Sequence, residues 1–321
     1  MTVDEGLGGR MANTAGDERP TVHHQAYLYR GEGELAAGAL PHLRTGIEAG
    51  SPTFVVTPER EAGLLRDALG PDAHAVQFLD PADLYTNPVR AMAALTAVAR
   101  TLGTTPAWVV ASDEWGRYPD ALEWVRYDSV FNKSFADVPF RSLCCYDTEK
   151  LSPETIELVR QTHPRLLEGA SLVDNPAYRE PEDFVAELDR RPLSASPQSA
   201  ATMQILPTDL HAVRAFVADQ ARRCGVTTDA LHNLLVAVTE VATNAIRHGE
   251  APVTLSTWPD NGLICEITDA GNWQPEEYIS WNPPESAAES GFGLWGVGML
   301  CDTVQVRTGA KGTTVRLRTF V

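Results

Sequence analysis

The 321-residue chain has no apolar run near the roughly 20 residues that a membrane-crossing helix needs. Its longest, such as Pro106–Ala111 and Leu234–Val238, stop far short. That excludes a helical membrane protein. An apolar secretory core is also missing. Met1–Pro20 is polar, acidic and glycine-rich, so it is expected to be a disordered tail on a cytoplasmic protein. Basic residues are scarce, 26 against 43 acidic ones, for a net charge of −17. Such a chain lacks the electropositive face that nucleic-acid binding needs, and an anionic membrane surface would repel it. Cysteines are few: Cys144, Cys145, Cys224, Cys265 and Cys301, with no CxxC pair. Neighbours Cys144 and Cys145 would face opposite sides of a strand and could not hold one ion together. All five are expected to be reduced, mostly buried thiols.

What is present suffices for real cores. Apolar residues make up 43% of the chain, and its length suggests about two domains. From about residue 21 to 188, short apolar runs alternate with helical stretches. The runs are Ala26–Tyr29, Thr53–Thr57, Ala75–Leu79, Ala107–Ala111 and Ser142–Tyr146. The helical stretches are Glu34–Ala49, Glu59–Leu69, Val89–Leu102, Pro119–Asn132 and Pro153–Thr162. Strands separated by helices of this length predict an α/β, Rossmann-like, mostly parallel sheet. Residues 189–202, rich in Ser, Pro and Ala, read as a linker. Residues 203–321 have another order: strand, two long helices, Val253–Trp258, Gly262–Asp269, a long loop, a short helix, then Thr303–Thr308 and Gly312–Thr319. That order predicts an α+β sandwich.

The first domain lacks the motifs that an α/β sheet uses for phosphates. RGEGELAAGAL follows the first strand without the Lys-Ser or Lys-Thr of a P-loop and without a dinucleotide fingerprint. Asp113, Glu114, Trp115 and Asp147 gather where strands end, the edge at which parallel sheets hold ligands. Helix capping is the plain alternative. Five segments in order, HHQAYLYRGEGEL, GIEAGSPTFVVTP, ASDEW, LCCYD and NPAYREP, resemble the MEDS family of bacterial sensory domains. The resemblance covers about residues 22–182. It implies a Rossmann-like sensory input whose ligand is unknown or a small molecule, and no catalytic residues.

The second domain contains TTDALHNLLVAVTEVATNAIRHGE. At about 100° per residue, Leu231, Leu234, Leu235, Val238, Ala242 and Ala245 share one side of a helix. Glu240, Asn244, Arg247 and His248 share the other. CEITDAGNWQP then ends a strand on Asp269 and Gly271. ESGFGLWGVGML places Gly291, Gly293 and Gly296 just before a helix, where bare backbone N–H groups suit phosphate oxygens. Gly312–Val315 opens the last strand. Residues 272–290, with Trp273 and Trp281, are expected to form a long acidic lid between the two glycine motifs, with a plain surface loop as the alternative.

These four boxes in this order resemble those of the GHKL ATPases. ExxxNAxxHG and GxGLWxV further resemble the anti-sigma factor serine kinases. The resemblance covers about residues 204–320 and implies ATP and Mg²⁺ as cofactors. By it, Asn244 holds Mg²⁺, and Asp269 accepts a hydrogen bond from the adenine amino group. Gly271 lets the base approach, and Thr313 lies behind the adenine. Gly291, Gly293, Leu294 and Gly296 wrap the phosphates, while Arg247 and His248 add charge near them. Glu240, one turn before Asn244, is the expected catalytic residue, orienting or deprotonating a hydroxyl nucleophile. His248 could equally serve as a helix cap. A histidine kinase would need a phosphoacceptor His on a helix pair ahead of the ATP domain. His211, in ILPTDLHAVRAFVADQARRCG, has no such setting.

The expected function is therefore a bacterial signalling regulator. An ATP-binding anti-sigma factor would sequester a sigma factor and bind an anti-anti-sigma protein of the STAS type. Phosphorylation of that protein on serine or threonine is the further expectation. The alternative is a switch that holds nucleotide without transferring phosphate. A homodimer is one assembly that the sequence leaves open.

Overall fold

The computed structural model describes residues 22–112, 121–271, 273, 292–309 and 312–321. Its first half runs β1 (His23–Tyr29), α1 (Gly31–Glu48), β2 (Thr53–Val56), α2 (Glu59–Leu69), β3 (Gln77–Leu79), α3 (Pro81–Leu84) and α4 (Pro88–Leu102). It continues through β4 (Ala107–Ser112), α5 (Ala121–Ser134), β5 (Phe140–Asp147), α6 (Pro153–Thr162), β6 (Arg165–Glu168), β7 (Ser171–Asp174) and α7 (Pro181–Arg190). The strands form one sheet in the order β3-β2-β4-β5-β1-β6-β7. All pairs are parallel except the β6–β7 hairpin. The expected parallel sheet is present, with two differences. The hairpin adds an antiparallel edge, and residues 75–76 belong to the turn before β3.

Helices cover both faces of this sheet. On one face Leu35, Leu43 and Leu65 pack on Tyr27, Val110 and Cys145. On the other, Met92, Trp124, Phe131, Phe140 and Phe184 form an aromatic-rich core against which Cys144 packs. The two adjacent cysteines do face opposite layers, and all five cysteines are free. The aromatic layer also buries polar groups, among them His24, Asp128, Asn132 and His163. Burial holds His24 well below the usual histidine range and His163 at about 4.

The second half runs β8 (Ala201–Ile205), α8 (Leu210–Arg223), α9 (Thr228–His248), β9 (Val253–Pro259), β10 (Gly262–Asp269), α10 (Phe292–Leu300), β11 (Thr303–Gly309) and β12 (Gly312–Phe320). Its five strands are antiparallel, in the order β11-β12-β10-β9-β8. The helices cover one face of this sheet. Leu234, Val238 and Val241 of α9 meet Leu255, Leu263 and Leu317 in one apolar cluster. Thr227 caps α9 by accepting from Ala230 N. Residues 191–200, ahead of β8, contain no helix. Among the described residues, no helix is long and apolar enough to cross a membrane.

The two halves touch at the carboxyl end of α10. Asn87, only 2% exposed, is the N-cap of α4, and its Oδ1 accepts from Arg90 N. Its Nδ2 donates across to the carbonyls of Gly298 (3.1 Å) and Cys301 (2.9 Å). Arg90 Nε donates to Met299 O at 2.9 Å. One asparagine thus caps the start of a helix in one half and the end of a helix in the other. Beside this contact, Gln305 donates to Glu123, and Arg307 donates to Arg191 O and pairs with Asp189.

Candidate nucleotide site

Helix α9 organises the site because its apolar stripe is buried and its other face stays at the rim. Glu240 and Asn244 lie one turn apart there, both half-buried. Asn244 Nδ2 donates to Glu240 Oε1 at 3.2 Å. That bond turns Asn244 Oδ1 outward as a hard oxygen donor suited to Mg²⁺. Gly293, at the start of α10, sits directly against Glu240. A Cβ on Gly293 would collide with Glu240 Oε1. The amino-terminal turn of α10 therefore adjoins Glu240, and the first N–H groups of a helix have no partner within the helix itself.

A second group of residues gathers at the carboxyl end of α9, about 7 Å farther along its axis at 1.5 Å per residue. Asp269 ends β10 and is 8% exposed. Its Oδ1 accepts from Gly271 N at 2.8 Å and from Glu250 N at 3.4 Å. Ala270 N donates to Glu250 O, which ties the strand end to the segment after α9. With Oδ1 held by the backbone, Oδ2 is the oxygen left to meet a ligand N–H. Gly249 and Gly271 both press on this carboxylate, and a Cβ on either would meet it. Thr313 pairs with Asp269 in the sheet register, and its hydroxyl donates to Gly271 O at 3.0 Å. Trp273 N donates to Thr313 Oγ1 at 3.4 Å.

The structure thus brings together Glu240, Asn244 and Gly293 at one end, and Asp269, Gly271 and Thr313 at the other. Arg247 and His248 are exposed on the last turn of α9 and make no hydrogen bond among the described residues. Leu294 is a buried packing residue, so only its backbone could serve a ligand. Gly296 has open space where a Cβ would stand. Gly291, Trp281, Asp113, Glu114 and Trp115 lie outside the described residues. Asp147 closes a turn by accepting from Glu149 N. Gly249 reads in the sequence only as a helix stop. Its place after His248 at the helix end is the one hint that it adjoins the strand carrying Asp269. Asn87 and Arg90 carry no hint beyond the capping pattern Asn-Pro.

Residues 203–319 match the family described as the histidine kinase-like ATPase domain. Residues 23–164 match the family described as MEDS, the methanogen/methylotroph, DcmR sensory domain. The chain joins a MEDS domain to a histidine kinase-like ATPase domain. The residues gathered by α9 all lie within the ATPase match. Among solved structures, the chain is similar to the RsbU and RsbW domains of Rv1364c from Mycobacterium tuberculosis. Identity there is 19%, with 39% of this chain and 35% of that chain covered and a TM-score of 0.29. The chain thus spans about a third of that protein's length. It is also similar to the histidine kinase domain of the blue-light activated histidine kinase EL346 from Erythrobacter litoralis. Identity is 20%, with 39% and 68% covered and a TM-score of 0.24. No protein of curated function matches the chain.

Proposed function

We propose that the ATPase domain, residues 203–321, binds ATP with Mg²⁺ and acts as an anti-sigma factor under control of the MEDS domain, residues 21–188. It sequesters a sigma factor and phosphorylates a STAS-type anti-anti-sigma protein on serine or threonine. The observation that carries this reading is the layout of α9. A carboxylate held by a carboxamide meets the glycine start of α10, and a strand-end carboxylate stands at the other end of the same helix.

When bound, the nucleotide supplies the phosphoryl group. Asn244 Oδ1 would take a place around Mg²⁺. Asp269 Oδ2 would accept from the adenine amino group, with Gly271 and Thr313 shaping the space beside it. Glu240, with Oε1 engaged by Asn244, keeps Oε2 to accept the proton of the partner's hydroxyl. Arg247 and His248 supply cationic or donor groups at the exposed edge. The Asn87 contact on α10 supports control by the MEDS domain, because the helix whose start adjoins Glu240 is gripped at its end by α4.

A histidine kinase reading is opposed by the helix-free segment 191–200 ahead of β8, where a dimerising phosphoacceptor pair would stand. The test is incubation of the full chain with γ-labelled ATP and STAS-domain proteins. Acid-stable label on the STAS protein is expected. Acid-labile label on the chain itself would overturn the serine/threonine assignment. Nucleotide binding without transfer to any STAS protein would leave a binding switch in place of a kinase.

A further inference from the structure

The MEDS domain holds a second cluster of chemistry, far from the ATPase site in sequence and unused by it. His24 lies on β1, Asp128 on α5 and Cys144 on β5, and His163 follows α6. Three of the segments that resemble the MEDS family reach this point: HHQ through His24, LCCYD through Cys144 and Tyr146, and NPAYREP through Asn175.

The two imidazoles have fixed tautomers. His163 Nδ1 faces Val159 O at 2.9 Å, and a carbonyl can only accept, so Nδ1 carries the hydrogen. His24 Nδ1 faces Asn132 Oδ1 at 3.1 Å. The orientation of Asn132 is set by its Nδ2, which donates to Thr162 O at 2.8 Å. Both rings therefore turn an Nε2 lone pair into one small space. Asn175 Nδ2 donates to His163 O at 2.7 Å and pins the second histidine from behind.

That space also receives a thiol and a carboxylate. His24 Nε2 is 3.3 Å from Cys144 Sγ and 3.9 Å from Asp128 Oδ1. His163 Nε2 is 3.6 Å from Asp128 Oδ2. Tyr146 Oη donates to the same Oδ2 at 2.6 Å and orients the carboxylate. The His24, Cys144 and His163 ligand atoms lie within 4.8 Å of one another. Tyr146 Oη also lies 3.4 Å from His163 Nε2, so two imidazole nitrogens, a thiol and a carboxylate converge on one buried point.

We propose that His24 Nε2, His163 Nε2, Cys144 Sγ and Asp128 form a binding site for a divalent transition-metal ion of the zinc class. Bonds of 2.0–2.3 Å in a tetrahedron set ligands about 3.3–3.7 Å apart, and the Nε2 distances to Cys144 Sγ and to the Asp128 oxygens run from 3.3 to 3.9 Å. Two neutral imidazoles, a thiolate and a carboxylate balance a charge of +2. Mixed N, S and O donors select zinc-class ions over Mg²⁺ or Ca²⁺. Asn132 and Val159 give each histidine the hydrogen-bonded backing that metal-binding histidines need. A pocket lined by Tyr85, Trp124 and Tyr127 lies beside Asp128, Cys144 and Tyr146.

The test is titration of the full-length apoprotein with Co²⁺ in the presence of excess Mg²⁺, which keeps the Asn244 site out of the readout. Wild type should bind one Co²⁺ per chain with a thiolate-to-cobalt charge-transfer band, and Zn²⁺ should displace it. Cys144→Ser should lose the band. Cys145→Ser, on the opposite face of the same strand, should keep it. A wild-type protein that takes up neither Co²⁺ nor Zn²⁺ would overturn the proposal whatever the variants do. A band that survives in Cys144→Ser, or disappears in folded Cys145→Ser, would overturn it as well.

Discussion

The two domains solve the problem of polar side chains in opposite ways. The ATPase domain packs α9 over an apolar cluster and sets Glu240 and Asn244 half-buried on the other face of that helix, with Asp269 buried at the end of β10. The MEDS domain places His24, Asp128 and His163 inside an aromatic core, where each must find partners within the protein. Burial drives the Cys144 thiol and the Tyr146 hydroxyl up, while the imidazoles are driven down. Changes at the rim should therefore cost function and spare stability. Changes in the buried layers should cost stability first.

The largest effect is expected at Glu240. Glu240→Gln keeps an Oε1 acceptor for Asn244 but loses the proton acceptor. Single-turnover phosphoryl transfer should fall about 10²–10⁴-fold, with nucleotide affinity nearly unchanged. Equal transfer rates in mutant and wild type would remove Glu240 from the chemistry.

The next prediction uses acid to separate the domains. His42, on α1, faces Arg141 O and the Trp108 ring, and burial lowers it to about 4. Above the unfolded value of 6.5 both states are neutral, and the native stability is fully present. As pH falls from 6.5 towards 4, the unfolded state takes up the proton first, and about 3 kcal/mol is lost. Denaturant melts across that window should show the MEDS domain weakening first. His42→Gln should flatten the dependence, and an unchanged profile in that variant would contradict the assignment.

Asp269→Asn should weaken ATP by about 1.5–3 kcal/mol, the worth of a hydrogen bond to a charged group. An analogue lacking the exocyclic amino group should lose less. Equal losses, read by calorimetry, would show that Asp269 does not recognise the adenine amine. The smallest effect is expected at Asn87. Asn87→Ala removes the α4 cap and the two bonds to α10, and should cost about 1–2 kcal/mol. The two domains should then melt separately, and a single unchanged transition would argue against a structural clasp between them.

The rim site is far more legible in the sequence than the buried one, for a physical reason. A helix face writes itself into the chain at fixed spacing, so Glu240 and Asn244 pair from their four-residue separation alone, and Asp269 closes a recognisable strand. The β10 strand and the β11–β12 hairpin lie close to where alternation puts them. The buried cluster joins His24, Asp128, Cys144 and His163 across four separate elements, and no local period encodes that meeting. The β6–β7 hairpin is equally hard to read. Its strands are four residues each, and the only local signal is Gly169 in the turn, which takes a φ of +59°. Helix α7 is short, and only Pro181, Phe184 and Leu188 of it are buried among charged neighbours. The contact between Asn87 and α10 spans more than 200 residues of chain and lies beyond any local pattern.

The central claim is that the rim of α9 binds ATP with Mg²⁺ while the core beneath it is independent of that task. Calorimetric titration of ATP–Mg²⁺ into wild type and Asn244→Ala, each paired with a nucleotide-free melt, tests it most directly. The account predicts binding in the wild type, its loss in Asn244→Ala, and matching melting temperatures without nucleotide. Wild-type affinity in Asn244→Ala would contradict it.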